Sequence, residues 1–204
     1  MLAFGHAGLT LGAAALTAGS LGQGRLPARS GYGWLVSLSA RLDIRWLLVG
    51  SLLPDIIDKP LGLWLLGDTL ASGRVYCHTL LFAGLLTLGG WYLSRRGQRW
   101  LRALSFGVLA HLVLDQMWLS PQTLFWPLLG TSFPPIDVSG WFEGILGALF
   151  SRPDVFIPEI LGAGVLIWFL WQLARRHQLK DFLRHGRLYP IASVLPIETA
   201  RALE

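Results

Sequence analysis

Charge is scarce in this chain. Only 14% of its residues are Asp, Glu, Lys or Arg, against about 25% in an average soluble domain. Too few polar groups exist to cover a water-soluble globule. Hydrophobic residues make up 53% and mean hydropathy is +0.51, so intrinsic disorder is excluded too. Cysteine is nearly absent: the single Cys77 rules out a disulfide-stapled secreted domain. Internal repeats and low-complexity tracts are also missing. What remains is an integral membrane protein. Its 204 residues leave room for roughly five or six spans of about 20 residues each.

The chain carries a net charge of +5. Its basic residues cluster at the ends of apolar segments, where they act as topology signals, so no nucleic-acid partner is expected. Apolar runs predict five transmembrane helices: roughly residues 1–21, a segment starting near Ile44, and residues 75–93, 100–118 and 155–173. No Lys or Arg precedes the first run, so it reads as a retained helix and not a cleaved signal. Its Gly8 and Gly12 form a GxxxG pair suited to close packing. The second run contains Pro54 and meets Lys59-Pro60, which predicts a break and an angled or re-entrant continuation. The stretch 119–153 holds two short apolar runs, 123–129 and 141–150, too short to cross and read as interfacial or re-entrant helices.

Orientation follows from the basic clusters. Arg25, Arg29, Arg41 and Arg45 fall between spans one and two. Arg95, Arg96, Arg99 and Arg102 join spans three and four. Arg175, Arg176, Lys180, Arg184 and Arg187 follow span five, while residues 103–151 have no Lys or Arg. The positive-inside rule then places the N-terminus outside and the C-terminus in the cytoplasm of a multi-pass cell-membrane protein. Trp46, Trp91, Trp100, Trp118 and Trp171 sit at span ends, as an aromatic belt requires. Residues 1–177 form one helical membrane domain on this reading, and 178–204 a cytoplasmic tail.

Ionisable groups inside spans cost several kcal/mol unless partnered, which makes each one a functional candidate. They are His6, Asp55, Asp58, His78, His111, Asp115 and Glu159. On the alternating topology every one falls toward the exterior end. His111 and Asp115 are i,i+4 on one helix, and Asp55 and Asp58 are i,i+3. Three carboxylates in low dielectric need neutralising, and neutral histidines cannot do it. One or two divalent cations can. A mixed His/Asp set suits zinc, and also manganese or iron. Plainer readings exist for single members: a lone His as a helix–helix hydrogen-bond donor, Asp58 in a local ion pair with Lys59, Cys77 as packing, and Glu159 as a cap of span five.

Four blocks also carry a family likeness: Gly5-His6, GSLLPDIIDKPLG at 50–62, GRVYCHTLLFAG at 73–84, and AHLVLDQMW at 110–118 followed by LFWPLLG at 124–130. In these the chain resembles the bacterial and archaeal membrane-bound metal-dependent hydrolases, the family of the LexA-regulated inner-membrane hydrolase. The resemblance implies that His6, Asp55, His78, His111 and Asp115 form the metal site, with Asp58 in the same cluster. It also implies a distant likeness to the zinc phospholipase C and P1 nuclease fold, and so a phosphoester target in a membrane lipid or other amphiphile. Two departures, the Asp55–Asp58 spacing and Gly73 in place of a His, favour one or two metals over three. The expected mechanism is attack by metal-activated water, with Asp58 or, second, Glu159 as proton acceptor. Arg74, with Lys59 behind it, would steady phosphoryl charge, and the 119–153 stretch would form a lid. The competing readings are a divalent-metal transporter, or a metal-binding or proton-relay membrane protein without hydrolase activity. Polar groups confined to one half of the spans argue against transport, which needs access from both faces.

Overall fold

Backbone contact through glycine sets how closely the helices of this protein approach. The computed structural model describes residues 1–21, 31–136 and 141–189. Helix α1 (Ala3–Ser20) packs along α9 (Pro153–Arg175), and a Cβ on Gly8 would lie 2.1 Å from the Gly162 carbonyl oxygen. Gly12, four residues on, faces Val165 of α9, so the GxxxG pair is the α1–α9 seam. Helix α3 (Ile44–Lys59) packs along α6 (Trp100–Leu114) in the same way. A Cβ on Gly50 would meet the Leu104 carbonyl at 2.1 Å, and one on Gly107 the Leu47 carbonyl at 2.3 Å. Helix α5 (Leu80–Arg95) lies against the far side of α6.

Short elements finish the chain. Helix α2 (Gly31–Arg41) fills the basic stretch between α1 and α3. A wide π-type turn, Pro60–Leu65, continues α3 and leads into α4 (Gly67–Leu70). A 3-10 turn, Tyr76–His78, precedes α5, and another, Met117–Leu119, follows α6. Then come α7 (Pro121–Leu124), α8 (Trp141–Ser151) and, after α9, α10 (Leu179–His185). Among the described residues every regular element is helical.

Two apolar clusters flank the fold. One joins Leu11, Leu35, Leu38, Ile44, Leu47, Phe169 and Leu173 at the end where the basic residues gather. The smaller one, Ala83, Val108, Leu112, Met117 and Leu124, lies under α7 at the opposite end. Much of the remaining apolar surface points outward. Helix α5 buries only Ala83 and Gly90, and Leu81, Leu85, Leu88, Trp91 and Tyr92 are exposed. Water does not tolerate apolar surface on that scale.

Several expectations differ from this arrangement. One described helix, α9, is long and apolar enough to cross a membrane; α6 is apolar but shorter. The other expected spans fold as α1, α3 and α5, of 18, 16 and 16 residues. Helix α1 runs unbroken over nearly the whole expected span, whereas α3 and α5 each meet a turn near the His/Asp residues instead of running on as one helix. Helix α2 lies between the first two expected spans, where no helix was predicted. Its Tyr32, Leu35, Val36 and Ser39 lie on one helical face and are buried, while its Gly and Ser content disguises the pattern. The tail expected from 178 begins with α10, whose Phe182 meets the Phe169 ring edge-on at 5.3 Å, so α10 belongs to the packed body. Arg25, Arg29 and residues 190–204 lie outside the described residues.

The glycine contacts make a clean comparison. Gly8→Ala should destabilise the protein by about 1–3 kcal/mol, since backbone cannot yield as a side chain does. Gly164→Ala, on the same helix pair with nothing within 4 Å of its Cβ position, should be neutral or stabilising by up to about 1 kcal/mol. Thermal unfolding in detergent, with both variants beside the parent, reads the difference.

Candidate functional site

Three helices and one turn deliver the polar residues to one place. His6 comes from the first turns of α1, Asp55 and Asp58 from the last turns of α3, His78 from the 3-10 turn before α5, and His111 from the end of α6; Asp115 follows directly. His6, Asp58, His78 and His111 are fully buried. All six expected ligand-type residues are thus brought together at the end opposite the basic clusters.

The Asp58 carboxylate organises the centre. Its oxygens accept from the backbone N–H groups of Val75 (2.9 Å), Cys77 (3.0 Å) and His78 (3.1 Å), and from His78 Nδ1 at 2.7 Å. Oδ1 accepts only from Cys77 N, but the carboxylate is fully buried and enclosed by these donors, so it is not open to a reacting group. The expectation that Asp58 ligates a metal or accepts a proton does not fit these surroundings. Its place is behind His78, where an acidic partner fixes ring orientation and tautomer. Lys59, its neighbour in sequence, instead reaches Asp55 Oδ2 at 2.6 Å, i,i+4 along α3.

His111 is oriented likewise, with Nδ1 2.7 Å from the Ser51 carbonyl oxygen. That contact makes Nδ1 the donor. With both Nδ1 atoms committed, His78 Nε2 and His111 Nε2 face each other at 3.2 Å. Two neutral rings oriented this way direct two lone pairs at one point. Asp55 Oδ1 lies 3.6 Å from His78 Nε2 and 3.9 Å from His111 Nε2, and Asp115 Oδ2 lies 3.9 Å from His78 Nε2. The His6 ring stacks on His111 at 4.0 Å between centroids. His6 Nε2 is 3.1 Å from Asp115 Oδ1, yet neither His6 nitrogen makes an aligned hydrogen bond among the described residues. Two overlapping sets, His6–Asp55–His111 and His78–His111–Asp115, each gather their donor atoms within 4.8 Å. Orphaned imidazole nitrogens, facing lone pairs and nearby carboxylate oxygens are a donor set that fits a divalent cation.

Charge balance alone does not require one. Arg74 Nη2 lies 2.8 Å from Asp115 Oδ2 and Lys59 pairs with Asp55, so two of the three carboxylates already have a cationic partner. Arg74 was expected near the site and is there, 44% exposed. It lines a cavity of about 400 Å3 with Asp115 at its wall. Leu119, Ser120 and Arg152, from either end of the 119–153 stretch, line the same cavity. Farther along, Phe133 of that stretch packs edge-on to Tyr76 at 5.1 Å.

Glu159 does not join the cluster. Its carboxylate accepts from Leu2 N at 2.7 Å and Phe4 N at 3.0 Å. It caps α1, not its own helix, and holds the segment that carries His6. Cys77 is buried and contributes its backbone N–H to Asp58, with no ligand role in either donor set. Sequence reasoning missed the Ser51 carbonyl, a backbone group that no residue type announces.

The profile of the YdjM inner membrane protein family matches residues 1–182, and the chain belongs to that family. No curated protein and no solved structure gives a significant match.

Asp58→Ala should cost about 3 kcal/mol or more, because it leaves buried N–H donors and an imidazole unpaired. Asp55→Ala, which loses one partly exposed Lys59 pair, should cost about 1 kcal/mol or less. Ranking the two by thermal unfolding tests whether Asp58 is the structural member of the cluster.

Proposed function

We propose that this inner-membrane protein is a metal-dependent hydrolase acting on a phosphoester of a lipid or other amphiphile. The observation that carries this reading is the opposed pair of Nε2 atoms on His78 and His111, each oriented by an acceptor at its other nitrogen. His6, Asp55, His78, His111 and Asp115 would hold one or two divalent ions, zinc first, with manganese or iron as alternatives. A bound ion of this kind lowers the pKa of its water toward neutrality and polarises a phosphoryl oxygen. Asp58 and the Ser51 carbonyl keep the two imidazoles aimed. Asp55, whose Oδ1 has no hydrogen bond among the described residues, replaces Asp58 as proton acceptor where it is not fully used as a ligand. Arg74, at the cavity edge, receives negative charge developing on the phosphoryl group.

The family's inner-membrane character supports multi-pass insertion, as do the outward apolar faces of α5 and α9. The basic end then faces the cytoplasm with the C-terminus, and the His/Asp end faces the exterior. A headgroup would enter the 400 Å3 cavity from the membrane surface. One observation favours a second reading, a metal-free buried network. Were His78 protonated between Asp58 and Asp55, its Nε2–H would donate to His111 and relieve the lone-pair opposition.

Elemental mass spectrometry on detergent-purified protein separates the two. The hydrolase reading expects about one or two equivalents of zinc, manganese or iron, lost in both His111→Ala and Asp115→Ala. No metal after reconstitution at neutral pH overturns it in favour of the metal-free network. Arg74→Gln should keep the metal and lower turnover of a phosphodiester lipid about a hundredfold, read as kcat in mixed micelles.

A further inference from the structure

The end remote from the His/Asp cluster holds a second cavity, of about 480 Å3. It lies where three separate connections meet: the end of α2 and its link to α3, the α5–α6 turn, and the chain leaving α10. Arg41, Arg99 and Arg187 line it, one from each segment, with His185 beside them.

Its one acidic residue is already spent. Asp43 Oδ2 takes Arg45 Nη2 at 2.7 Å, and Oδ1 takes the Arg45 backbone N–H at 3.0 Å and Nε at 3.1 Å. Arg41 uses one N–H on the Ala18 carbonyl at 2.6 Å, and its own carbonyl accepts from Arg102 at 3.1 Å, fixing that wall. The side chains of Arg99 and Arg187 have no hydrogen-bond or ion-pair partner among the described residues. Gly186, at φ +65°, lies against the Asp43 carboxylate and turns the chain so that Arg187 comes back to the cavity. Trp100 also lines the cavity and packs on Trp46 at 5.1 Å, which puts an interfacial aromatic pair beside it.

Scattered positive charge at one membrane face only sets topology. A concave site with three arginines from three segments and no free counter-charge does more, because guanidinium forks match tetrahedral oxyanions. We propose that this cavity binds a phosphate-bearing anion through Arg41, Arg99 and Arg187. The phosphate comes either from an anionic phospholipid headgroup or from a soluble phosphate compound.

The test uses the full chain in neutral detergent and two double variants of equal charge change at the same end. One is Arg99→Gln with Arg187→Gln. The other is Arg95→Gln with Arg96→Gln, whose side chains lie over Trp91 and Tyr92, outside the cavity. In the lipid arm, native mass spectrometry compares phosphatidylglycerol with phosphatidylcholine. In the soluble arm, inorganic pyrophosphate is titrated against melting temperature. A preference for phosphatidylglycerol weakened roughly tenfold in the first variant, and about twofold or less in the second, supports the site with a lipid ligand. A pyrophosphate-induced rise in melting temperature that only the first variant loses supports it with a soluble ligand. Equal losses in both variants, or no anion preference in either arm, overturn it. Replacing Arg99 and Arg187 by Lys should restore part of the binding, which distinguishes charge recognition from a folding defect.

Discussion

Four donors converge on one buried carboxylate, and the site depends on that convergence. Asp58 ends α3 by binding the backbone of residues 75, 77 and 78, so a chain that has just made a wide turn and a short helix is pulled back beneath it. The same carboxylate sets the His78 ring. Because His78 is aimed, it meets His111, and because Ser51 aims His111 from α3, the α3–α6 seam becomes part of the site. Glycines at 50 and 107 let that seam close to backbone contact. A polar centre and a glycine interface are therefore one construction.

The molecule has two chemically opposite ends. At one, Asp58 and the imidazoles are buried, and Lys59, Arg74 and Arg152 each pair with an aspartate. At the other, guanidinium groups lie on aromatic rings, as Arg95 does on Trp91 at 3.9 Å and Arg176 on Tyr32 at 3.8 Å. Cation–π contact lets a charged head stay at a wet boundary while its stem covers apolar surface. Between the ends the helices present apolar side chains outward.

Much of the site was legible because helical spacing and alternating direction are properties of the sequence. His111 with Asp115 follows from i,i+4 geometry; Asp55 and Lys59 have the same spacing, but the adjacency of Asp58 and Lys59 pointed to the wrong pair. The role of Asp58 was not legible, since it depends on N–H groups freed by a turn whose shape residues 60–75 do not announce. Glu159 was read as a cap for its own helix, the local choice, and caps α1 across 155 residues of sequence. Helix α2 was hidden by polar residues interleaved with its buried face. Long-range partners and backbone donors decide these cases, and neither leaves a mark on residue type.

The sequence distances within the cluster bear on how the protein is made. His78 lies 33 residues from His111 and Ser51 lies 60 from it, while the α1 segment carrying His6 waits for Glu159, 157 residues from Leu2. During synthesis Asp55 finds Lys59 within α3 and Asp58 waits only for residues 75–78, whereas His6 and the start of α1 stay unmatched until α6 and α9 emerge. A solitary Asp in an apolar helix carries a penalty of several kcal/mol, and each pairing removes part of it. Assembly order is thereby biased from the nascent chain onward: the earliest helix remains the least settled, and α9, whose Glu159 and Gly162 both engage α1, is the piece that completes the bundle.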